Sequence, residues 1–274
     1  MKKIVSLALA AALAFSLAAC SSSSSDSPEE QAELTKITVG ASPSPHAEIL
    51  ERAKPILREK GYELEIVEFT DYVIPNTSLE AGELDANYFQ HTPYLDSFNE
   101  ERGTHIVSVA KIHFEPLGIY PGKSDDLANI PDGATIAVPN DTTNEARSLL
   151  LLESLGIITL KEDAGLKATA LDIIENPHNV TILEVEAPQT VNVLADVDFA
   201  VVNGNYAVSA GILDKALASE SNEGVVPDTY GNIIAVREGD ENTEKTLALV
   251  EALTSDEIRE FINEKYSGLF VPVF

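Results

Sequence analysis

Two short runs, DYVIPN and NYFQHTPY, crowd Tyr72, Phe89, His91 and Tyr94 together with the amides Asn76, Asn87 and Gln90. Rings beside amides suit a pocket that takes an apolar group and orients it with a few hydrogen bonds, although any single ring there serves equally well as core. Further on, PNDTTNEAR sets Asn144 and Arg147 three residues apart, on one face of a helix that opens at a capped N-terminus. The free N–H groups of such a start favour an anion, and a guanidinium beside them can hold a carboxylate with a bidentate fork. Asn203, after the apolar FAVV, and Asn232, which opens NIIAV, offer acceptors to an ammonium group. A carboxylate, an ammonium and an apolar aromatic slot describe an amino acid.

Other chemistries find less support. GIYPGKS, Gly118 to Ser124, has three residues between its first glycine and Gly-Lys-Ser where a phosphate-binding loop needs four, and Pro121-Gly122 makes a turn. Any ATP must therefore be hydrolysed by a partner. The five histidines, His46, His91, His105, His113 and His178, include no pair at i, i+4. A zinc site would need three of them to converge with a carboxylate, and no metal or cofactor is expected. No GxSxG elbow is present, and the acidic residues are too scattered to nominate a catalytic pair, so no enzymatic activity is expected.

The elements that must position these residues read as an alternation of strands and helices. Strands are expected at Ile37–Gly40, Leu64–Phe69, Leu84–Phe89, Thr135–Val138, Thr181–Val185, Phe199–Val202 and Asn232–Val236. Ser44-Pro45 and Thr92-Pro93 look like N-caps followed by a first-turn proline, for helices over Ala47–Glu59 and Tyr94–Arg102. Thr142 with Glu145 reads as a capping box for a helix through Leu155, and two more helices, Thr243–Leu253 and Asp256–Tyr266, end the chain. This predicts an α/β fold with mostly parallel strands. Ile112–Tyr120 and Tyr230–Ala235 look like crossings between two lobes, the alternative being one continuous sheet.

The chain opens with Lys2 and Lys3, then an apolar run too short to span a membrane, closing on Leu17, Ala18, Ala19 and the only cysteine, Cys20. That pattern predicts a lipoprotein signal over residues 1–20, lipid on Cys20 and attachment to the membrane through it, with residues 21–36, rich in Ser, Glu and Asp, as a disordered tether. With 45 acidic against 18 basic residues and a formal charge of −27, the surface repels nucleic acid and anionic headgroups. With one cysteine there is no internal disulfide, so a chain that is 44% hydrophobic stands on packing.

The runs SPHAEIL, DYVIPN, GELDANYFQHTPYL, HFEPLGIY, VPNDTTNEARSLLLLE, VVNGNYAVSAGI and NIIAVREGD resemble the methionine-binding lipoproteins of ABC importers, the NlpA or MetQ family. The resemblance extends from about Ile37 to the C-terminus. It implies a bilobed, periplasmic-binding-protein-like α/β fold, with lobe 1 made of 37–115 and 231–274 and lobe 2 of 116–230. It also implies an extracytoplasmic role delivering methionine, the L and also the D form, to a membrane permease with a cytoplasmic ATPase. Tyr72, Phe89, His91 and Tyr94 would enclose the thioether, Asn144 and Arg147 would meet the carboxylate, and Asn203 and Asn232 would bind the amino acid backbone. The HFEP run departs from relatives with apolar or aromatic residues at His113 and Glu115, which leaves open a methionine dipeptide or another small apolar amino acid. A zinc-binding or adhesion lipoprotein are readings from other classes. Cys20→Ser is predicted to leave a folded domain that is released from the membrane, checked by fractionation after a high-salt wash; retention of the variant in the membrane fraction would rule out lipid anchoring.

Overall fold

A computed structural model describes residues 33–274. The expected signal segment, Cys20 and most of the tether lie outside the described residues. Regular structure starts at Thr35, two residues before the expected Ile37, because Thr35 and Lys36 already pair with Tyr62 and Glu63. In chain order come β1 (Thr35–Ala41), α1 (Glu48–Glu59), β2 (Tyr62–Glu68), α2 (Ile74–Glu80), β3 (Ala86–His91), α3 (Thr92–Arg102), β4 (Ile106–Phe114) and β5 (Gly118–Pro121). Then follow β6 (Thr135–Pro139), α4 (Thr142–Ser154), β7 (Thr159–Leu160), β8 (Ile173–Glu175), β9 (Thr181–Val185), β10 (Phe199–Val202) and α5 (Gly204–Ser209). The chain ends with β11 (Ala218–Ser219), α6 (Val225–Tyr230), β12 (Asn232–Arg237), α7 (Glu244–Leu253), α8 (Asp256–Lys265) and β13 (Val271–Pro272). Among the described residues no helix is long and apolar enough to cross a membrane.

Two mixed sheets result. One runs β13-β4-β12-β3-β1-β2 and the other β11-β5-β10-β6-β9, with β7 and β8 as a separate ribbon. The strands are not mostly parallel, contrary to expectation. β1 lies parallel to β2 and β3, but β12 is antiparallel to both β3 and β4, and β13 to β4. In the other sheet β6 lies parallel to β9 and β10, while β5 is antiparallel to β10 and β11. The reason is topological. The β3-α3-β4 unit leaves a one-strand gap, which β12 fills from the opposite direction on returning from the second sheet. Local periodicity carries no sign of such an insertion.

Each sheet has its own apolar core. Ile49, Leu50, Ala53 and Leu57 form one face of α1 and pack with Ile37, Val39, Leu249 and Ile262 against the first sheet. Leu149 and Leu152 of α4 pack with Ile136, Val138 and Phe199 against the second. β3 is buried along its whole length, between β1 and β12, so it shows none of the alternation of a half-exposed strand.

Two helix starts differ from the expected caps by a residue each. His91, not Thr92, caps α3, its Nδ1 accepting from the Tyr94 N–H at 3.1 Å. Asp141, not Thr142, caps α4 by accepting from the Asn144 N–H at 3.0 Å, and Glu145 reaches out to the Ala170 N–H, so no capping box forms. Ahead of α1, Ser44 is extended within a tight turn over Pro43–Ala47, and the α-helix proper starts at Glu48.

Asn76, Asn87 and Gln90 form a buried triangle that fastens α2 to β3. Asn76 donates to Gln90 Oε1 (2.8 Å) and accepts from Asn87 Nδ2 (2.7 Å) and Gln90 Nε2 (2.8 Å). Their amides mostly satisfy one another, so structure absorbs groups that sequence places among the pocket rings. Asn76→Ala strands Gln90 Oε1 without its donor, and we predict a stability loss of about 1–3 kcal/mol. Chemical denaturation checks this against Thr77→Ala on the exposed side of α2, expected within about 0.5 kcal/mol of the parent; equal effects would deny the triangle its structural weight.

Candidate functional site

β3, β4 and β12 converge where the chain leaves and re-enters the first sheet. Asn232, the first residue of β12, lies in register with His91 on one side and His113 on the other. Glu115 follows β4 directly, and the second sheet contributes Asn144 and Arg147 from α4 and Asn203, Gly204 and Asn205 from the end of β10 and the start of α5. Together with Tyr72, Phe89, Gln90, His91 and Tyr94 these residues line one common cleft. All eight residues singled out in the sequence, Tyr72, Phe89, His91, Tyr94, Asn144, Arg147, Asn203 and Asn232, face this one space.

Rings form one wall. Tyr72 lies 5.8 Å from both Phe89 and Tyr94, centroid to centroid, and Phe89 6.1 Å from Tyr94, in tilted or edge-to-face pairs. Their polar tips are tied elsewhere. The Tyr72 hydroxyl donates to Asn205 Oδ1 (2.6 Å) and the Tyr94 hydroxyl to the Tyr72 carbonyl (2.9 Å), which turns ring faces and edges toward the cavity.

A chain of amides spans the floor. Because His91 Nδ1 caps α3, the ring proton sits on Nε2, which donates to Asn144 Oδ1 at 3.3 Å. The same oxygen accepts from Asn203 Nδ2 (3.0 Å), and Asn144 Nδ2 donates to Asp141. Asn203 Oδ1 is buried with no hydrogen-bond partner, an open acceptor at the cavity.

Arg147 is more constrained than the sequence suggests. Its Nε and Nη2 donate to the two oxygens of Glu220 at 2.8 and 2.6 Å, Nη2 also reaches the Glu115 carbonyl at 2.8 Å, and the guanidinium lies 4.3 Å over the Tyr230 ring. The bidentate fork expected for a ligand thus holds Glu220. Glu220 gave no signal in the sequence. Glu115, Gly204 and Asn205 also line the cavity without having been read as ligand contacts, and so does Gln90, which the sequence placed among the pocket amides. Of these, Glu115 had one available signal, an acidic residue inside the otherwise apolar HFEPLGIY.

Behind Glu115 stand His46 and His113, all three buried. His113 Nε2 lies 2.8 Å and His46 Nε2 3.2 Å from the same Glu115 oxygen, Oε1. Two imidazoles and a carboxylate are a donor set that zinc accepts, and their ligating atoms lie within 4.8 Å of one another. Yet the atoms that would face an ion face each other, as N–H donors on a shared acceptor. Burial drives the pKa of His46 down to about 4 and that of His113 to about 3, and burial together with Arg147 does the same to His91, to about 3. All three are therefore neutral near pH 7.

Histidines held neutral make stability depend on pH. Below about pH 6.5 the unfolded chain takes up protons that the folded one refuses, so stability falls as pH drops towards 4. Glu115, whose pKa burial raises, acts in the opposite sense. Between pH 6.5 and 5, above the carboxylate range, we predict a slope of about 1.4 kcal/mol per pH unit for each of one to three protons, measured by urea denaturation; a flat profile would show that these imidazoles are charged in the folded protein.

Known proteins share this architecture. Residues 37–274 match the NlpA lipoprotein family. The methionine-binding lipoprotein MetQ of Bacillus subtilis is 40% identical over 242 residues, 87% of this chain and 88% of that protein. A solved lipoprotein structure from Ruminococcus gnavus is 57% identical with a TM-score of 0.86, over 88% of this chain and all of the other. A nutrient binding protein from Burkholderia cenocepacia, solved bound to methionine, is 43% identical with a TM-score of 0.83, over 87% of this chain and all of the other. On the strength of a match over nearly all of the described residues, the chain belongs to the NlpA lipoprotein family.

Proposed function

We propose that this chain is a lipid-anchored, non-enzymatic binding protein that captures methionine outside the cytoplasm and delivers it to an ABC permease powered by a cytoplasmic ATPase. The observation that carries this reading is the cleft itself, where an aromatic wall, an arginine edge and the open amide acceptor of Asn203 meet. The methionine named for the Bacillus subtilis and Burkholderia cenocepacia relatives suits it. In this reading Tyr72, Phe89, His91 and Tyr94 hold the thioether, Arg147 and Asn144 meet the carboxylate, and Asn203 and Asn232 bind the amino acid backbone. Residues 37–115 with 231–274 form one closing lobe and 116–230 the other, and lipid on Cys20 keeps the domain beside its permease.

The pocket should choose its side chain on two grounds. An unbranched, polarisable thioether gains about 0.3–1.5 kcal/mol from sulfur–ring contacts, a few-fold to about tenfold preference over norleucine. Leucine branches too early for the slot, and a charged side chain would lose its water without gaining a partner. A thermal-shift panel of both methionine enantiomers, norleucine, leucine, glutamine, glycyl-methionine and zinc tests this. At a hundred times Kd, methionine is expected to stabilise by about 2.7 kcal/mol. No shift with either enantiomer but a clear one with the dipeptide or zinc would replace methionine with that ligand; no shift with any would favour a surface role without transport.

A further inference from the structure

Arg147 has a second side. Besides lining the cleft, it stands with Glu220 and Tyr230 at the floor of a separate groove between α4 and α6. Leu150 and Leu151 of α4, with Leu166 on the short turn Gly165–Lys167, form one wall, and Val225 and Val226 of α6 form the other. The walls stand apart, since Val225 is 76% and Leu166 47% exposed. We propose that these two apolar walls are each other's cover and close on one another when the ligand cleft opens, so that their contact tunes ligand affinity from outside the cleft. This rests on the amino acid reading given above and adds to it the element that sets how readily the protein closes.

The walls belong to different bodies. α4 packs on the second sheet through Leu149 and Leu152. α6 is fastened to the first sheet instead: it packs on α3 and β4, Lys111 of β4 donates to the Asp228 carbonyl at 2.5 Å, and the His91 ring lies 5.2 Å from that of Tyr230. Where the bodies touch, the Arg147 guanidinium lies 4.3 Å over the Tyr230 ring. On one side of this contact Arg147 joins His91, Asn144 and Asn232 in the cleft; on the other it joins the leucines and valines of the groove. Two hollows on either side of one contact between packed bodies behave as the ends of a see-saw, and a rotation that widens one narrows the other.

The structure holds the cleft shut. The Tyr72 hydroxyl donates to Asn205, the Tyr206 hydroxyl to the Thr70 carbonyl at 3.2 Å, and the Thr142 hydroxyl to Glu101 at 3.1 Å, each bond running from one body to the other. With the cleft shut the groove is wide and its apolar side chains are left in water, an unfavourable exposure that narrowing the groove relieves. The floor invites no charged ligand of its own, because Arg147 and Glu220 already satisfy each other. Apolar contact across the groove therefore stabilises the open form, and the ligand's apparent affinity falls by the fraction of the protein so held.

The test is calorimetry with methionine on the chain from Ser21 onward, which contains every described residue. Val225→Ser and Leu166→Ser remove apolar surface that is exposed in the closed form, so their effect falls on the open one, and each should tighten methionine binding about two- to tenfold. Ser154→Leu adds apolar surface to the α4 wall and should weaken binding by a similar factor. Leu247→Ser, on α7 away from the groove and 54% exposed, should change it by less than about twofold. None of these side chains lines the cleft, so opposite signs at the groove cannot come from a lost ligand contact. A second readout is independent of the ligand. From Ser21 onward the chain has no cysteine, so Val225→Cys with Leu166→Cys gives a single pair, which oxidised glutathione should join in the ligand-free protein. The joined form, held open, should bind methionine at least about tenfold more weakly until it is reduced. Val225→Ser and Leu166→Ser binding methionine as wild type does, or more weakly, overturn the proposal, as does a cysteine pair that does not join or that joins without loss of affinity. Should wild type ignore methionine while the pair joins, the methionine reading fails and the contact across the groove stands.

Discussion

One buried ion pair holds the place where the two sheets meet. Arg147 and Glu220, with side chains 4% and 9% exposed, lie on the second-sheet side of the chain and are joined by two hydrogen bonds. From this pair the guanidinium reaches the Glu115 carbonyl, while Glu220 accepts from the Leu117 N–H and donates its own N–H to the Leu117 carbonyl at 3.0 Å. The outgoing crossing, residues 115–117, is thereby pinned at both ends. The same guanidinium stacks on Tyr230, the last residue of α6 before the return through Gly231 to Asn232. Taking two charges out of water is costly, and removing one partner of such a pair typically costs about 3–5 kcal/mol because the other is left buried. Here the lost hydration is replaced by backbone groups and a ring, so both crossings share a single support and Glu115 and Asn232 are placed relative to each other.

From that support the polarity of the cavity follows. β3 ends with His91, β4 carries His113 one residue before its end, and β12 begins with Asn232 between them, so three polar side chains meet at one end of the first sheet. Low dielectric surroundings make each unpaired polar atom expensive, which is why nearly every donor here is matched: Tyr88 to His113, His113 and His46 to Glu115, His91 to Asn144, Tyr72 to Asn205. The exceptions are informative, since an acceptor left open beside a cavity, as Asn203 Oδ1 is, has its pairing supplied by what enters.

How much of this was legible in the sequence depends on the range over which each feature is encoded. Elements whose signals are local came through: the helices α1, α7 and α8 and the strands β6, β9 and β10 lie within a residue of where pattern and punctuation place them. Caps shifted by one residue where two candidates adjoin, as His91 with Thr92 and Asp141 with Thr142, because which side chain reaches back is settled by the preceding backbone dihedrals. Rings and amides near the cavity were readable from their density, yet Asn76 and Asn87 turned out to serve the α2–β3 joint. What could not be read was pairing at a distance. Glu220 meets Arg147 across 73 residues and Asn232 meets His46 across 186, and nothing in the composition of either stretch announces the other. The antiparallel course of β12 belongs to the same class, since it is a property of where the chain comes back.

The surface and the cavity work on different length scales. A formal charge of −27 produces a field that repels anions at range, but surface charges separated by more than about 8–10 Å of salt water are largely screened. An amino acid is a zwitterion without net charge, so that field neither attracts nor excludes it. Discrimination must then come at contact, where Arg147 and Glu115 are buried and screening is weak. An acidic surface is compatible with a cleft that carries a buried arginine, because charges in that low-dielectric interior act at contact, after water has been displaced.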